Sequence, residues 1–578
     1  MYDERLARHR AEIERLARRE RAIRAARGIA FALIVAVAFV KWGWLVLVPT
    51  VAFIALVIAT EPLRAAKRRA EAAAAFCERG LGRMRDEWQG KGDFGDDFAE
   101  EHHPFAADLD LFGSGSLFEL ISIAATSSGR ATLASWLKHP ERVSAADVRA
   151  RQASVAALRD EVDLREDLFV IASEVSGEIE AANLEEWAAE PPLLHGGQAL
   201  LPVLAASMFG AVTTILAVTV FFTQLSKLWA LPFFVALLFR ALIVRRLGQR
   251  VAAVIGAVER REPALALLAR LLARLEREPF WRAPAGSARI EKLRGLVALL
   301  DARRNQFFAP IAAIVLWSEL VAFAIERWRR ESGHDIVKWM DAVGETEALL
   351  SLASFAYEHP AFATPEIVDG DALFDAVAAA HPLIATNKRV ANDVHLGGAL
   401  RLLIVSGSNM SGKSTLLRTV GVNAVLALAG APVCARALRV APMAIGASIR
   451  IHDSLAEGAS RFYAEILRIR QILEMTPPLL FLLDELLHGT NSHDRRIGAE
   501  AIVRGLVERG AIGLATTHDL ALAQVADALA SKAANVHFED HLEGDAMAFD
   551  YTMRPGVVTK SNALALMRAV GIDLAISD

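Results

Sequence analysis

The sequence has few cysteines and almost no net charge, and each shortage excludes a class of protein. Only Cys77 and Cys434 occur in 578 residues, too few for a disulfide framework and too far apart for a metal-binding pair. The 64 Lys and Arg residues are balanced by 68 Asp and Glu residues, so there is no overall positive charge that would indicate nucleic-acid binding. A secreted, disulfide-rich or fibrous protein is therefore excluded.

Apolar residues are abundant, at 54% with a mean hydropathy of +0.31, and they are concentrated in two blocks. Residues 28–60 carry one charge, Lys41, and are long for one membrane span but sufficient for two short ones. Residues 199–244 form a second block with a break at 224–227. We expect two transmembrane hairpins in a lipid bilayer; the alternative is two buried helical hairpins.

The basic residues predict the orientation of these hairpins. Arginines precede the first block and follow both blocks, whereas the two expected outer loops hold only Lys41 and Lys227. The positive-inside rule then places the termini and the middle in the cytoplasm, in a multi-pass protein of the cell (inner) membrane. A third apolar run, 307–325, contains Pro310 and Glu319, and a fifth span would move everything after it outside. We expect it to be a buried soluble helix.

A phosphate-binding loop is encoded after the apolar strand 402–405. The segment 407–415 matches G-x-x-x-x-G-K-S between a strand and a helical pattern, the context that the motif requires. Its backbone N–H groups and the following helix dipole suit the phosphates of ATP or GTP. We expect Lys413 to reach the β- and γ-phosphates and the Ser414 hydroxyl to bind Mg²⁺. The predicted nucleotide contacts are Gly407, Ser408, Asn409, Met410, Ser411, Gly412, Lys413, Ser414 and Thr415.

Two further strands end in residues suited to hydrolysis. The strand 479–483 ends in Asp484 and Glu485, and a buried acid without a role is costly. Asp484 is placed to hold Mg²⁺ through water, and Glu485 to polarise the attacking water. The strand 511–515 leads to His518, which could contact the γ-phosphate; alone, it could equally be a histidine at a strand end.

A second anion site is predicted at the start of a helix that continues to about residue 474. Gly458 and Ser460 open this helix, and a helix N-terminus rich in Gly and Ser binds anions. Two such sites can meet on one γ-phosphate only if the second belongs to another subunit. The sequence therefore predicts a homodimer with nucleotide between the subunits.

Together these motifs resemble the ATPase domain of the MutS family. The shared residues are Asn409-Met410, the signature Asp453…Gly458-x-Ser460-x-Phe462, Asp484-Glu485, Gly489-Thr490, Thr517-His518, Pro555-Gly556 and Lys560-Ser561. Upstream, 381–384 and 390–393 match the stretch that leads the family into its phosphate loop. Weaker similarity, through stretches such as 111–118 and 129–137, extends back to about residue 105, apart from the second apolar block.

The resemblance implies roles for individual residues. Ser460 would touch the γ-phosphate of the partner subunit's nucleotide, and Asn409 would support the phosphate loop. The positions that hold adenine in the family are here Arg389 and Tyr551, which can act by cation–π contact and stacking. ATP and Mg²⁺ are the implied substrate and cofactor.

Two functions remain open at the sequence level. Residues before about 105 are taken up by the charged helix and a membrane hairpin and leave no comparable domain that carries a Phe-x-Glu wedge, so specific mismatch recognition is not expected. The first function is a membrane-anchored ATPase whose dimer closure clamps DNA or another elongated partner. The second is a transporter or another membrane switch, but intramembrane charge is scarce and a Leu-Ser-Gly-Gly signature is absent.

The expected fold class is α + α/β, with a helical transmembrane and core region before a P-loop ATPase domain. The expected parts are a charged helix at 1–27, a membrane hairpin at 28–60, cytoplasmic helices at 61–198, a membrane hairpin at 199–244, a helical core at 245–375 and the ATPase domain at 376–578.

Overall fold

A computed structural model describes residues 1–39, 43–174, 181–194, 200–223, 227–408, 410–450, 461–487, 492–517, 520–543 and 546–557. The helices are α1 Tyr2–Phe39, α2 Leu47–Met84, α3 Leu117–Ile121, α4 Ser127–Lys138, α5 Ala145–Leu158, α6 Val162–Ser173, α7 Ala181–Ala189, α8 Leu200–Phe222, α9 Leu231–Leu275, α10 Ser287–Asp301, α11 Ala309–Ile314, α12 Trp317–Glu358, α13 Lys413–Ala429, α14 Arg461–Glu474, α15 Ser492–Glu508 and α16 Leu520–Ala528. The strands are β1 Glu366–Ile367, β2 Phe374–Ala379, β3 Asn392–Leu396, β4 Leu402–Ser406, β5 Ala437–Val440, β6 Ala444–Ser448, β7 Leu479–Leu483, β8 Ile512–Thr517, β9 Ala533–Glu543 and β10 Ala546–Pro555.

Helices α1 and α2 form a long antiparallel hairpin. Near its base the rings of Tyr2 and Phe76 lie 5.9 Å apart, and towards its tip Phe31 and Phe53 lie 6.3 Å apart. The expected boundaries at residues 27 and 60 fall inside these continuous helices. Because Ala, Arg, Leu and Glu are all good helix formers, the change from charged to apolar composition alters the surface without ending the helix.

Three of the described helices are long and apolar enough to cross a membrane by length and composition: α1, residues 43–84, and α8. Their apolar side chains are largely exposed, with Phe39 84% and Phe221 82% accessible. The expected fourth span, 228–244, falls mainly in the first part of α9, which continues without interruption into the basic residues that follow. This segment is not one of the three helices that are long and apolar enough to cross a membrane.

The third apolar run, expected as one buried helix, is divided into two. Pro310 lies in the first turn of α11, and Leu316, with φ of +49°, separates α11 from α12. Phe307 and Ile311 are exposed, so the first half of the run is not buried. It docks on the second hairpin, because Ser207 Oγ donates to the Val315 carbonyl at 2.8 Å and Arg240 Nε to that of Ala313 at 2.7 Å.

The 42-residue helix α12 is the central element of the helical region. Its buried Glu347 accepts hydrogen bonds from the Thr126 side chain and, at 3.1 Å, from the Thr126 backbone N–H, at the start of α4. Burial raises the pKa of Glu347, and the hydrogen bonds from Thr126 and Ala125 oppose that shift. Gly344 allows α4 to approach closely, because a Cβ there would lie 2.4 Å from Ser128 Oγ.

The C-terminal region contains two sheets, which confirms the coarse expectation of a helical region followed by an α/β region. A four-stranded sheet has the order β1-β5-β2-β3, and a six-stranded sheet has the order β10-β9-β4-β8-β7-β6. The expected boundary at residue 376 falls inside β2, so the α/β region starts earlier, with β1. The apolar spacing did not reveal this, because β1 has two residues.

The six-stranded sheet brings three loops to one edge. Strands β6, β7, β8, β4 and β9 are parallel, and β8 lies between β4 and β7. Helix α13 covers one face of the sheet, and α14, α15 and α16 pack in the apolar cluster on the other. The carboxyl ends of β4, β7 and β8 therefore meet at one edge.

Candidate nucleotide-binding site

The phosphate loop connects β4 to the buried helix α13, as the sequence predicts. Gly407 and Gly412 have φ of +150° and +107°, in the region that favours glycine, and Gly412 directly precedes the first turn of α13. A Cβ on Gly412 would also lie 3.1 Å from the ring of Tyr551. The loop therefore needs glycine here both for its backbone and for space.

Lys413 lies inside this loop. Its Nζ donates to the carbonyl oxygens of Gly407 at 3.0 Å and Ser408 at 2.7 Å. Burial lowers the pKa of Lys413, while the carboxylates of Glu485 and Asp484 oppose this shift. Ser408 Oγ is buried and has no hydrogen-bond partner among the described residues. A buried ammonium at a helix N-terminus and an unpartnered hydroxyl in the preceding loop fit the binding of phosphate oxygens.

The two acids follow β7 and are joined by a threonine from β8. Leu483 is paired with Ala515, so Asp484 comes beside Thr516. The Thr516 hydroxyl donates to Asp484 Oδ1 and accepts from the Glu485 backbone N–H at 2.9 Å. Glu485 itself has φ of +47°, which is uncommon for a residue with a side chain. Thr516 thus ties the orientation of one acid to the backbone of the other.

A cavity of about 740 Å³ contains much of the predicted site. Its lining includes Arg389, Asn392, Met410, Gly412, Lys413, Ser414, Thr415, Glu485 and Tyr551. The phosphate loop, Glu485 and the expected base-binding positions therefore share one space. Asp484 lies directly beside it, one residue before Glu485.

The two residues expected to hold the base, Tyr551 and Arg389, differ in their surroundings. Tyr551 is 43% exposed, has φ of +53° and stands where the pairing of β9 with β10 is irregular. Asn392 holds this irregularity: its Nδ2 donates to the Tyr551 carbonyl at 3.0 Å, and its Oδ1 accepts from Met553 N at 2.7 Å. Tyr551 is thereby presented towards the phosphate loop, and its ring lies 6.0 Å from the ring of Phe549 at an interplanar angle of 27°.

The guanidinium of Arg389 is turned to other partners. It donates to the carbonyls of Ile384 at 2.5 Å and Pro382 at 2.8 Å, and it lies 5.5 Å from the centre of the Phe362 ring. Arg389 thus lines the cavity with a guanidinium that is hydrogen-bonded to two carbonyls and packed against Phe362. Both Arg389 and Tyr551 line the cavity, and the expected base sandwich stays a prediction.

Three predicted residues, Asn409, Ser460 and His518, lie outside the described residues. The sequence motifs assign no role to Thr516 or Asn392. Thr516 could have been recognised only from the strand order, because its contact with Asp484 depends on β8 lying beside β7. Asn392 carried no chemical signal beyond its place in the resemblance.

A strand–loop–helix with a buried lysine, together with two acids that follow another parallel strand of the same sheet, is the arrangement of a P-loop nucleotide-binding domain. Residues 403–576 match the family profile described as MutS domain V. This part of the chain is therefore similar to MutS domain V.

Two curated relatives match the C-terminal region. The chain is 34% identical over 246 residues to "DNA mismatch repair protein MutS 2" of Halobacterium salinarum, covering 41% of this chain and 28% of that protein. It is 32% identical over 238 residues to "DNA mismatch repair protein MSH3" of Phaeosphaeria nodorum, covering 40% of this chain and 21% of that protein. The matches thus span about a quarter of the length of these relatives.

Proposed function

We propose that the protein is a membrane-anchored ATPase that hydrolyses Mg²⁺-ATP, closes as a homodimer and acts on DNA. The observation that carries the ATPase assignment is the shared cavity, in which Lys413, Ser414 and Glu485 meet at the carboxyl edge of the sheet. An ammonium, a hydroxyl and a carboxylate at a phosphate loop are the groups that phosphoryl transfer to water requires.

Each residue has a distinct task in this reaction. Lys413 binds the β- and γ-phosphates and neutralises the charge that develops on them. The Ser414 hydroxyl and the Asp484 carboxylate would hold Mg²⁺, which would supply positive charge against the phosphates. Glu485 orients the attacking water and accepts its proton. Ser460 of the second subunit and His518 complete the site, as the resemblance to the family implies.

The membrane assignment rests on the exposed apolar surface of the hairpins. A contiguous apolar surface that runs along exposed helices is rare on a soluble monomer and marks a membrane or protein interface. The basic residues at the base of each hairpin favour the cytoplasmic side for the ATPase domain.

The first test of the ATPase is the variant Glu485→Ala. We expect it to bind ATP but to hydrolyse it at least ~10²-fold more slowly, the usual loss for a positioned base. Lys413→Ala is the companion variant and should lose nucleotide binding itself. Equilibrium binding of a fluorescent ATP analogue and a phosphate-release assay measure the two properties separately. Unchanged turnover in Glu485→Ala would disprove the assigned role of Glu485.

DNA binding is tested with the detergent-purified Glu485→Ala protein and ATP. Fluorescence anisotropy on matched, mismatched and branched duplexes across a salt series measures affinity and its ionic component. Salt-dependent binding that requires ATP supports a DNA clamp. No binding at low salt on any duplex would remove DNA from the proposal and favour the alternative, a membrane switch with another partner.

A further inference from the structure

Residues 102–110 of the helical region, here named the clasp, lie across the ATPase domain. They contact the two elements that flank segment 451–460 in the sequence. The Ala447 N–H of β6 donates to the Pro104 carbonyl at 2.9 Å. On α14, the Arg468 guanidinium donates to the His103 carbonyl and Gln471 Nε2 to that of His102 at 3.2 Å. The clasp therefore contacts both the end of β6 and the middle of α14.

Asp108 anchors the clasp on the chain that leaves β6. Its Oδ1 accepts from the backbone N–H of Ile449 at 2.7 Å and of Arg450 at 2.6 Å. Burial raises the pKa of Asp108, and the hydrogen bonds from Arg450 and Ile449 oppose this shift. A carboxylate that is 2% exposed is retained at a cost in desolvation, which these two donors offset.

Asp110 connects the same chain to the helix that begins at the phosphate loop. One of its oxygens accepts from the Arg450 guanidinium, and the other lies 3.3 Å from Arg418 NH1 on α13. Between the two acids, Leu109 packs on α13 so closely that a Cβ at Gly421 would lie 2.6 Å from it. A single carboxylate thus lies between α13 and the end of β6.

The clasp is internally braced. His103 Nδ1 accepts from the Ala106 N–H at 3.2 Å, and burial lowers the pKa of His103 to about 4, so the ring is a neutral acceptor at neutral pH. The Asp110 carbonyl accepts from Leu117 N at 2.9 Å, at the start of α3. A braced segment can transmit a displacement of one neighbour to another.

We propose that the clasp regulates the nucleotide site by coupling α13 to β6, α14 and the helical region, and that Asp110 is the positioning residue that carries this coupling. The inference rests on the proposed ATPase function. Phosphate bound at the start of α13 shifts Arg418, and Asp110 transfers the shift to Arg450. Movement of the helical region acts on the ATPase site along the same route.

The test is the full-length Asp110→Asn variant, compared with wild type. Asn tolerates the left-handed conformation of Asp110, whose φ is +52°, so the fold should be retained while the charge is lost. We expect KM for ATP to stay within about twofold and kcat to fall roughly tenfold, because small misplacements in an active site cost up to about 10² in rate. Hydrogen exchange of residues 102–110 should slow on ATP binding in wild type and not in the variant.

Two further variants make the result specific. Arg418→Gln removes the same link from the α13 side and should reproduce the loss. Asp369→Asn removes an exposed ion pair, with Arg149 at 2.7 Å, and should leave kcat and exchange unchanged. Unchanged kcat and an unchanged ATP response in Asp110→Asn would overturn the coupling alone. A wild type that does not hydrolyse ATP would overturn the proposed function and the clasp with it.

Discussion

At the scale of single residues, Thr516 makes the most specific prediction for the site. Its hydroxyl bridges the Asp484 carboxylate and the Glu485 backbone, and Thr516→Val removes both hydrogen bonds without changing the side-chain shape. A hydrogen bond to a charged group contributes about 1.5–3 kcal/mol, so we expect kcat to fall about 10- to 100-fold. The Mg²⁺ concentration for half-maximal activity should rise, because Asp484 loses a donor that orients it.

Thr516→Ser provides the control for this prediction, since it retains the hydroxyl and loses only a methyl group. Its turnover and Mg²⁺ dependence should stay close to those of wild type in a steady-state phosphate-release assay. If Thr516→Val and Thr516→Ser behave alike, the hydroxyl bridge has no part in hydrolysis.

Residues with a chemical signature were predictable from the sequence, and residues that act through geometry were not. The lysine and serine of the phosphate loop and the acids after β7 follow from spacing alone, and the structure places them at one sheet edge. The partners of Arg389 could not be predicted, because Phe362, Pro382 and Ile384 become its neighbours only in the folded chain.

At the scale of elements, the close crossing of α4 and α12 predicts that alanine at Gly344 lowers stability, whereas alanine at Gly295 raises it. Gly344→Ala would place a Cβ within 2.4 Å of Ser128 Oγ and 2.9 Å of its carbonyl oxygen. Overpacking of this kind costs typically about 1–3 kcal/mol, more than the gain in helix propensity. We expect a lower midpoint of thermal unfolding.

Gly295→Ala is the matched control, because Gly295 lies in α10 with no atom near the added Cβ. Helix propensity alone then favours alanine by up to about 1 kcal/mol, and the unfolding midpoint should rise. Differential scanning fluorimetry of both variants in one detergent measures the difference. A stabilising Gly344→Ala would contradict the observed close approach of α4 and α12.

Element boundaries were less predictable than element types. The strands 402–405 and 479–483 were expected within a residue of their observed ends, because short apolar runs beside glycine or acids have clear limits. By contrast, α1, α2 and α9 continue through every change from apolar to basic composition. Helix-forming residues lie on both sides of these changes, so composition marks where the surroundings of a helix change and not where it ends.

At the scale of the whole molecule, the proposed topology places both hairpin tips outside the cytoplasm and the ATPase domain inside. Trp44 lies near the first tip and Trp229 near the second, and both are exposed. Cys77 and Cys434 are buried, and burial raises the pKa of both thiols to about 11, so the native cysteines give little background labelling.

We therefore expect Trp44→Cys and Trp229→Cys to react with a membrane-impermeant maleimide in intact cells. Ser531→Cys, on an exposed turn of the ATPase domain, should react only after the membrane is permeabilised. The pattern follows from the positive-inside rule, because the basic residues at the base of both hairpins resist translocation. Labelling of all three positions only after permeabilisation would mean that the hairpins do not span the bilayer, and their exposed apolar faces would then require a protein partner.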